Sequence, residues 1–331
     1  MKYYASEIDK YAISITQKNH PDTIQLGDIK ELDATKFEGV DLLIGGSPCQ
    51  SLSIAKRQKE SGLQKGESTL FWEYVRVLKE CKPKFFLLEN VASMKNIDRD
   101  KISEVIGVQP IKINSALVSA QQRKRYYWTN IPGITQPEDK EIYLKDILES
   151  GDTEKLKAYC VTATYSRACP RDYFMKGQRQ LIFKKPVRIG KIGKGGQGQR
   201  IYHTNGKSVS LSAHGGGQGA KTGLYEIKEE VRRLTPIECE RLQTVPDNYT
   251  EGVSNTQRYT MLGNGWTVEV IKHIFKHLPE GFLEKPDLKV LSLFDGMSCG
   301  QQAIKELLPC TNDKTENDRV SSLNLNKESS E

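Results

Sequence analysis

Short apolar segments alternate with helical patterns through roughly the first 150 residues, and this alternation constrains the fold more than any other feature of the chain. Residues 2–6, 40–44 and 84–88 have the composition of buried strands, and residues 10–19 and 69–80 have helical periodicity. Strands that alternate with helices form a parallel sheet with helices on both faces. The sequence therefore predicts a doubly wound α/β fold with a mostly parallel sheet.

One strand pattern near the C-terminus needs a partner elsewhere in the chain. Residues 290–294 are apolar, and a glycine turn and a helical pattern over residues 301–308 follow them. No neighbouring segment can pair with this strand, so we expect it to complete the sheet that begins near residue 2. Further strands are predicted at 111–117 and 125–129, and further helices at 100–106, 235–243 and 267–277.

Composition argues against a membrane protein, a secreted protein and a metal site. Apolar residues make up 37% of the chain, and no segment approaches the roughly 18 consecutive apolar residues of a membrane helix. The N-terminus lacks the apolar core of a secretory signal, so we expect a cytoplasmic protein. The seven cysteines are scattered and form no C-x-x-C pair, so we expect reduced thiols and no metal site.

The segment from about residue 148 to 227 differs from the rest. Glycine clusters at 190–198 and 215–219 interrupt strand-like pieces, which favours a separate, loop-rich domain. Ten lysines and arginines between Arg171 and Lys207 face a single acid, Asp172. Such a run is typical of a solvated face, but among glycine-rich turns it also suits contact with phosphates.

Three segments place reactive side chains at or near strand ends. Cys49 follows the strand at 40–44, Glu89 follows the strand at 84–88, and Arg123 and Arg125 alternate at the start of another strand. Ligands of doubly wound sheets bind at the carboxyl ends of the strands. Each residue also has an interpretation without a catalytic role, because a lone cysteine is commonly inert, a glutamate can begin a turn, and surface arginines are common.

Together these segments resemble the cytosine-5 DNA methyltransferase family. Ser47-Pro48-Cys49-Gln50 resembles its nucleophile motif, Glu89-Asn90-Val91 its glutamate motif, and Gln121 to Arg125 its Gln-x-Arg-x-Arg motif. Three later segments also match: Arg233 to Glu238, Leu262 to Val268, and Leu293 to Gly300, the last as it is written in animal de novo methyltransferases and their phage relatives. The resemblance implies the fold of S-adenosylmethionine-dependent methyltransferases and duplex DNA as the partner.

The resemblance also implies catalytic roles. The Cys49 thiolate would add to C6 of a cytosine flipped out of the duplex, and Glu89 would contact the N3 atom and amino group of that base. Arg125 would hold the base oxygen O2, and Arg123 would support the nucleophile loop. Gln50, Ser210 and Leu211 would contact DNA, with Ser210 standing where threonine is usual.

For the cofactor S-adenosylmethionine, the resemblance implies a turn after the strand at 290–294 and residues of five other segments. Phe294 would stack on adenine, Glu7 would bind the ribose hydroxyls, and Asp28 would read the adenine amine. Ser298 stands where many members have a second glycine. The expected binding residues are Phe294, Asp295, Gly296, Met297, Ser298, Gly300, Glu7, Ile8, Asp28, Ile29, Pro48, Leu70 and Asn264.

The order of these motifs is circularly permuted relative to the family, because the cofactor turn follows the other motifs instead of preceding them. We expect residues 1–147 and 228–310 to form the catalytic domain, residues 148–227 a target recognition domain, and residues 311–331 a disordered polar tail.

The same motifs are compatible with two other functions. A tRNA cytosine-5 methyltransferase would share the fold and chemistry, and a catalytically silent relative could bind DNA alone. Methylation of an amino group is disfavoured, since no Asp/Asn-Pro-Pro-Tyr/Phe segment is present. We expect a monomer, for which a cognate restriction endonuclease is a candidate partner.

Overall fold

The computed structural model describes residues 1–48, 70–153, 155–183, 188–191, 200–202, 224–225 and 231–308. The predicted tail at 311–331 lies outside these ranges. The strands are β1 (Lys2–Ser6), β2 (Ile24–Gln25), β3 (Leu42–Gly46), β4 (Phe85–Val91), β5 (Ile111–Asn114), β6 (Lys124–Thr129), β7 (Leu181–Phe183), β8 (Arg188–Lys191), β9 (Arg200–Tyr202), β10 (Leu224–Tyr225), β11 (Val231–Arg233) and β12 (Lys289–Leu293). The helices are α1 (Lys10–Asn19), α2 (Leu70–Cys81), α3 (Asn96–Ile106), α4 (Pro170–Lys176), α5 (Pro236–Gln243), α6 (Asn255–Asn264), α7 (Val268–Phe275) and α8 (Cys299–Leu307).

A seven-stranded sheet organises the molecule, in the order β2-β1-β12-β3-β4-β6-β5. The first five of these strands pair in parallel, and β6 runs antiparallel to both β4 and β5. The C-terminal strand β12 therefore lies inside the sheet, between β1 and β3. The predicted α/β fold with a mostly parallel sheet is confirmed, and so is the expectation that residues 290–294 complete it.

Helices cover both faces of the sheet because successive residues of a strand point to opposite sides. Leu42 and Ile44 of β3 pack with α1, α7 and α8, whereas Leu43 packs with α2 and α3 on the other face. All three side chains are fully buried. Burying one such side chain contributes roughly 1.5–3 kcal/mol relative to leaving it in water.

Several predicted elements have different bounds in the structure: the helix expected over residues 100–106 begins at Asn96, and the strand expected over residues 40–44 runs from Leu42 to Gly46. The strand expected over residues 111–117 ends at Asn114, whose side chain accepts a hydrogen bond from the Ala116 backbone N–H at 3.2 Å and begins a 3-10 turn. Asparagine competes in this way with regular structure. The strand expected to end at residue 88 continues to Val91, so Glu89 lies within β4.

The first part of the predicted recognition domain packs on the main core. Tyr165, Tyr173 and Leu181 belong to the same buried cluster as Leu234 and Leu242. Strand β7 also pairs with β11, antiparallel, while β8, β9 and β10 form a small separate sheet. No helix in the described part of the chain is long and apolar enough to cross a membrane.

His20, at the C-terminal end of α1, makes the stability of this fold depend on pH. It is buried, and its Nε2 lies 3.0 Å from the Tyr249 hydroxyl. Burial, together with the charge of Lys305, lowers the pKa of His20 from 6.5 to about 4. The unfolded chain therefore binds a proton at this position at a higher pH than the folded protein does.

We expect the free energy of unfolding to decrease as the pH falls from 6.5 towards 4, because protonation of His20 favours the unfolded chain. His20→Gln should weaken this dependence, since glutamine does not titrate. Urea unfolding at several pH values measures it. An identical pH profile for the variant and the parent protein would show that His20 is not the group responsible.

Candidate active site

The carboxyl ends of β1, β3, β4 and β12 meet at one edge of the sheet, since these strands run parallel. Of the predicted site residues, Glu7 lies just after β1, Pro48 lies beyond the end of β3, Glu89 lies near the end of β4, and Phe294 follows β12. Side chains that are far apart in the sequence are thereby brought to a common edge, which is where sheets of this kind bind ligands.

The segment that leads from β3 to the predicted nucleophile is anchored to β4. Asn90 is buried, and its Nδ2 donates to the Ser47 carbonyl oxygen at 3.2 Å and to the Ser47 hydroxyl at 3.1 Å. Pro48 is half-buried. Cys49 and Gln50 lie outside the described residues, as do Ser210 and Leu211.

Glu89 is held by two donors from different elements. Its Oε1 lies 2.8 Å from Nε of Arg125 on the neighbouring strand β6, and its Oε2 accepts a hydrogen bond from Nε1 of Trp266 at 3.0 Å. The Glu89 residue is 8% exposed. A carboxylate this buried needs such partners, and charge-assisted hydrogen bonds of this length are the strong ones.

Arg123 joins two chain segments through their carbonyl groups. Its guanidinium donates to the Val161 oxygen at 3.0 Å, to the Gly263 oxygen at 3.1 Å and to the Gly265 oxygen at 2.8 Å. Its predicted support of the nucleophile loop involves residues outside the described ranges. The contacts that are described tie Val161, in the predicted recognition domain, to the end of α6.

Cys160, which no sequence motif indicated, lies beside one of the predicted catalytic arginines. Its sulfur lies 3.3 Å from Nη1 of Arg123. Burial raises the pKa of the Cys160 thiol, but the positive charges of Arg123 and Arg125 outweigh it, so the net effect lowers this pKa. The sequence carries no signal for this position, because the cysteine reaches the arginines only through packing.

The predicted cofactor turn has an unusual backbone. Phe294, Gly296 and Ser298 have φ values of 56°, 58° and 60°, in the left-handed region that glycine adopts most easily. For a residue with a Cβ, such as Ser298, this conformation costs roughly 1–2 kcal/mol. Here the Ser298 hydroxyl forms hydrogen bonds with Asp295 and, at 3.0 Å, with Thr16, which offset the strain.

The Asp295 carboxylate lies at the centre of a group of hydroxyl donors. Tyr3 donates to it at 2.8 Å and Ser292 at 2.5 Å, and Ser298 donates as well. Burial raises the pKa of Asp295, whereas these three hydrogen bonds act in the opposite direction. Side chains of β1, β12 and the turn itself therefore hold this carboxylate, and the Phe294 N–H fixes the start of the turn by donating to the Ser6 carbonyl oxygen at 2.9 Å.

Glu7 and its neighbours line the other side of the turn. Glu7 Oε2 accepts from the Gly296 N–H at 2.7 Å, and its Oε1 accepts from the Ile8 N–H at 2.8 Å and the Asp9 N–H at 2.9 Å. Ile8 is 70% exposed, a large apolar surface next to the turn. Asp28 caps a short 3-10 helix by accepting from the Lys30 N–H at 3.0 Å.

The remaining predicted cofactor residues differ in burial and in their place in the fold. Met297 and Ile29 are buried, and Gly300 lies in the first turn of α8. Asn264 is exposed at the end of α6, and Leu70 begins α2. Among the described residues, no cluster of three or more histidine, cysteine, aspartate or glutamate side chains is arranged to hold a metal ion.

Comparison with known proteins gives a consistent picture. The sequence model of the family described as C-5 cytosine-specific DNA methylase matches residues 2–280. The chain is 32% identical over 303 residues to the type II methyltransferase M.HhaI of Haemophilus parahaemolyticus, covering 86% of this chain and 89% of that protein. It is 30% identical over 308 residues to the type II methyltransferase M.NlaX of Neisseria lactamica, covering 87% and 91%.

A solved structure shares the fold. The Entamoeba histolytica methyltransferase EhMeth superposes with a TM-score of 0.58 at 15% identity, over 84% of this chain and 90% of that one. Its low identity makes it informative about architecture alone. The family match and the two bacterial relatives carry the assignment, and they show that this chain belongs to the family of C-5 cytosine-specific DNA methylases.

Proposed function

We propose that this protein transfers a methyl group from S-adenosylmethionine to C5 of a cytosine flipped out of duplex DNA at a specific short sequence, through a covalent bond between Cys49 and C6. The observation that carries the proposal is the buried Glu89, held by Arg125 and Trp266 close to where β3 and Pro48 lead into the nucleophile segment. A positioned carboxylate and a cysteine thiolate are the two groups that this chemistry needs.

The reaction explains why these residue types are required. C5 of cytosine is a poor nucleophile, so the Cys49 thiolate adds to C6 and makes C5 an enamine carbon. Glu89 stabilises the ring through N3 and the amino group as charge develops there, and Arg125 holds O2. After methyl transfer, water removes the C5 proton and the bond between Cys49 and C6 breaks. Flipping the base costs a few kcal/mol.

The cofactor residues fit S-adenosylmethionine. A side chain added at Gly296 would meet nothing within 4 Å, so the outer side of the turn is open. Phe294 and the exposed Ile8 offer apolar surface for adenine, and Glu7 offers carboxylate oxygens for ribose hydroxyls. S-adenosylmethionine, when bound, supplies the electrophilic methyl group. The remaining proposed contacts come from Asp295, Gly296, Met297, Ser298, Gly300, Asp28, Ile29, Pro48, Leu70 and Asn264.

We further propose that the chain is a circular permutation of the family order, with residues 1–147 and 228–310 as the catalytic domain and 148–227 as the target recognition domain. Support comes from β12, which enters the sheet in parallel between β1 and β3 although it follows all the other strands in sequence. The family match ends at residue 280, before β12 and its turn.

Duplex DNA is favoured over tRNA as the substrate. The two relatives at 32% and 30% identity are both named type II methyltransferases, and the basic, glycine-rich stretch from Arg171 to Lys207 suits a phosphate backbone. We propose a monomer, with a cognate restriction endonuclease as its candidate partner.

Removing the nucleophile should separate chemistry from binding. In Cys49→Ala, transfer of a labelled methyl group to DNA should fall below detection, while calorimetry should give an unchanged Kd for S-adenosylmethionine. The parent protein should form a covalent adduct with DNA that contains 5-fluorocytosine, and the variant should form none. Cys169→Ala, at an exposed cysteine, is the matched control and should remain active. Full activity of Cys49→Ala would rule out the mechanism.

Glu7→Gln should weaken cofactor binding selectively. The Glu7 carboxylate accepts three backbone N–H groups, and an amide group loses part of this capacity. In the variant, the proposed hydrogen bond from a ribose hydroxyl would also go to a neutral amide instead of a carboxylate. Hydrogen bonds to charged groups are worth about 1.5–3 kcal/mol, so the Kd for S-adenosylmethionine should rise roughly ten- to a hundredfold, while the Kd for DNA stays constant. Glu38→Gln, at an exposed surface ion pair with Lys82, is the control. An unchanged cofactor Kd in Glu7→Gln would exclude this role.

The substrate class can be tested directly. With labelled cofactor, duplex DNA should accept methyl groups and tRNA should not. Bisulfite sequencing of DNA from an expressing host should then reveal 5-methylcytosine within one short sequence. Labelling of tRNA alone would support the alternative function, and labelling of neither would support a catalytically silent relative.

A further inference from the structure

Trp266 lies between α6 and α7, directly after Gly265, whose carbonyl oxygen accepts a hydrogen bond from Arg123 at 2.8 Å. Its half-buried indole donates from Nε1 to Glu89 Oε2 at 3.0 Å. Arg125 Nε lies 2.8 Å from the other carboxylate oxygen. An indole N–H can only donate. Each oxygen of Glu89 is therefore assigned to a different donor, and the carboxylate cannot turn about its axis without breaking one of these contacts.

The approach of the indole to Glu89 depends on a glycine. A Cβ added at Gly46, the last residue of β3, would lie 2.9 Å from Trp266 Nε1 and 3.1 Å from Glu89 Oε2. The first of these distances is shorter than ordinary van der Waals contact. The missing side chain at Gly46 is thus what leaves room for the hydrogen bond between Trp266 and Glu89.

The opposite edge of the indole of Trp266 faces α8, the helix that follows the predicted cofactor turn. A Cβ at Gly300, in the first turn of α8, would lie 3.5 Å from Trp266 Cζ3. Gly265, the residue before Trp266, has less room, since a Cβ there would lie 2.7 Å from Met297 Cε. One rigid ring therefore spans the distance from the helix that follows the cofactor turn to the carboxylate that would contact the base.

We propose that Trp266 is a positioning residue that sets the Glu89 carboxylate relative to the methyl donor. This inference rests on the proposed function, because it concerns the contact of Glu89 with cytosine. Trp266 acts through Glu89 and needs no contact with substrate. Its N–H orients one carboxylate oxygen and leaves the other to Arg125, while its ring keeps the base-binding and cofactor-binding sides of the site at a constant separation.

The test removes the N–H and keeps the ring. In Trp266→Phe, kcat for methyl transfer to duplex DNA should fall about tenfold, which corresponds to roughly 1.4 kcal/mol. The KM for DNA and the Kd for S-adenosylmethionine should change less than twofold. Replacing the indole of Trp266 with benzothiophene, which substitutes sulfur for the N–H at constant shape, should reproduce the loss of kcat and serves if the phenylalanine variant folds poorly.

A matched control and a double variant complete the experiment. Trp128→Phe also loses a buried indole hydrogen bond, in this case to the Ser103 hydroxyl at 3.0 Å, so it should lower the Tm and leave kcat within twofold. In a Glu89→Gln background, measured by single turnover, Trp266→Phe should have little further effect, because both changes act on the same contact.

The outcomes separate the two claims. If the parent protein transfers no methyl group to DNA, the proposed function fails. If the parent protein is active, three results would overturn the positioning role of Trp266 while the proposed function stands. Trp266→Phe could keep the parent kcat, or it could lose as much affinity for S-adenosylmethionine as it loses in kcat. Its effect on the rate could also be fully additive with that of Glu89→Gln.

Discussion

The sheet depends on the parallel pairing of β12 with β1 on one side and β3 on the other. Both neighbours belong to the N-terminal part of the chain, whereas β12 comes from residues 289–293. Val290, Leu291 and Leu293 are fully buried there, so without β12 two halves of a sheet would expose their apolar faces and unpaired edges. The same pairing places the turn after β12 beside the ends of β1 and β3.

At that edge of the sheet, buried polar groups fix one another. A charge removed from water is costly unless it is paired and hydrogen-bonded. Glu89 has Arg125 and Trp266, Arg123 has three carbonyl oxygens, and the Asp295 carboxylate has three hydroxyl donors. Because these partners come from several distant segments, the site is assembled by the whole fold. Groups held this firmly before a substrate binds can stabilise developing charge without having to reorganise.

Much of this edge was predictable because strand patterns are local. The apolar residues before Gly45 and Glu89 place both residues near the carboxyl ends of parallel strands, where the structure has them. Trp266 and Cys160 could not be assigned in this way. Each lies in an irregular segment, and its contact with Glu89 or Arg123 depends on how side chains pack between elements more than 30 residues apart in sequence.

The sequence alone determined the class of the fold and the chemical groups available at the sheet edge, because hydrophobic periodicity and residue identity are properties of short segments. Tertiary structure alone decided which strands flank β12, how far β4 extends beyond Glu89, and which donors hold that carboxylate. These outcomes depend on pairing and packing between distant segments. No local pattern specifies such contacts, since many arrangements bury the same apolar residues and only the assembled core selects one.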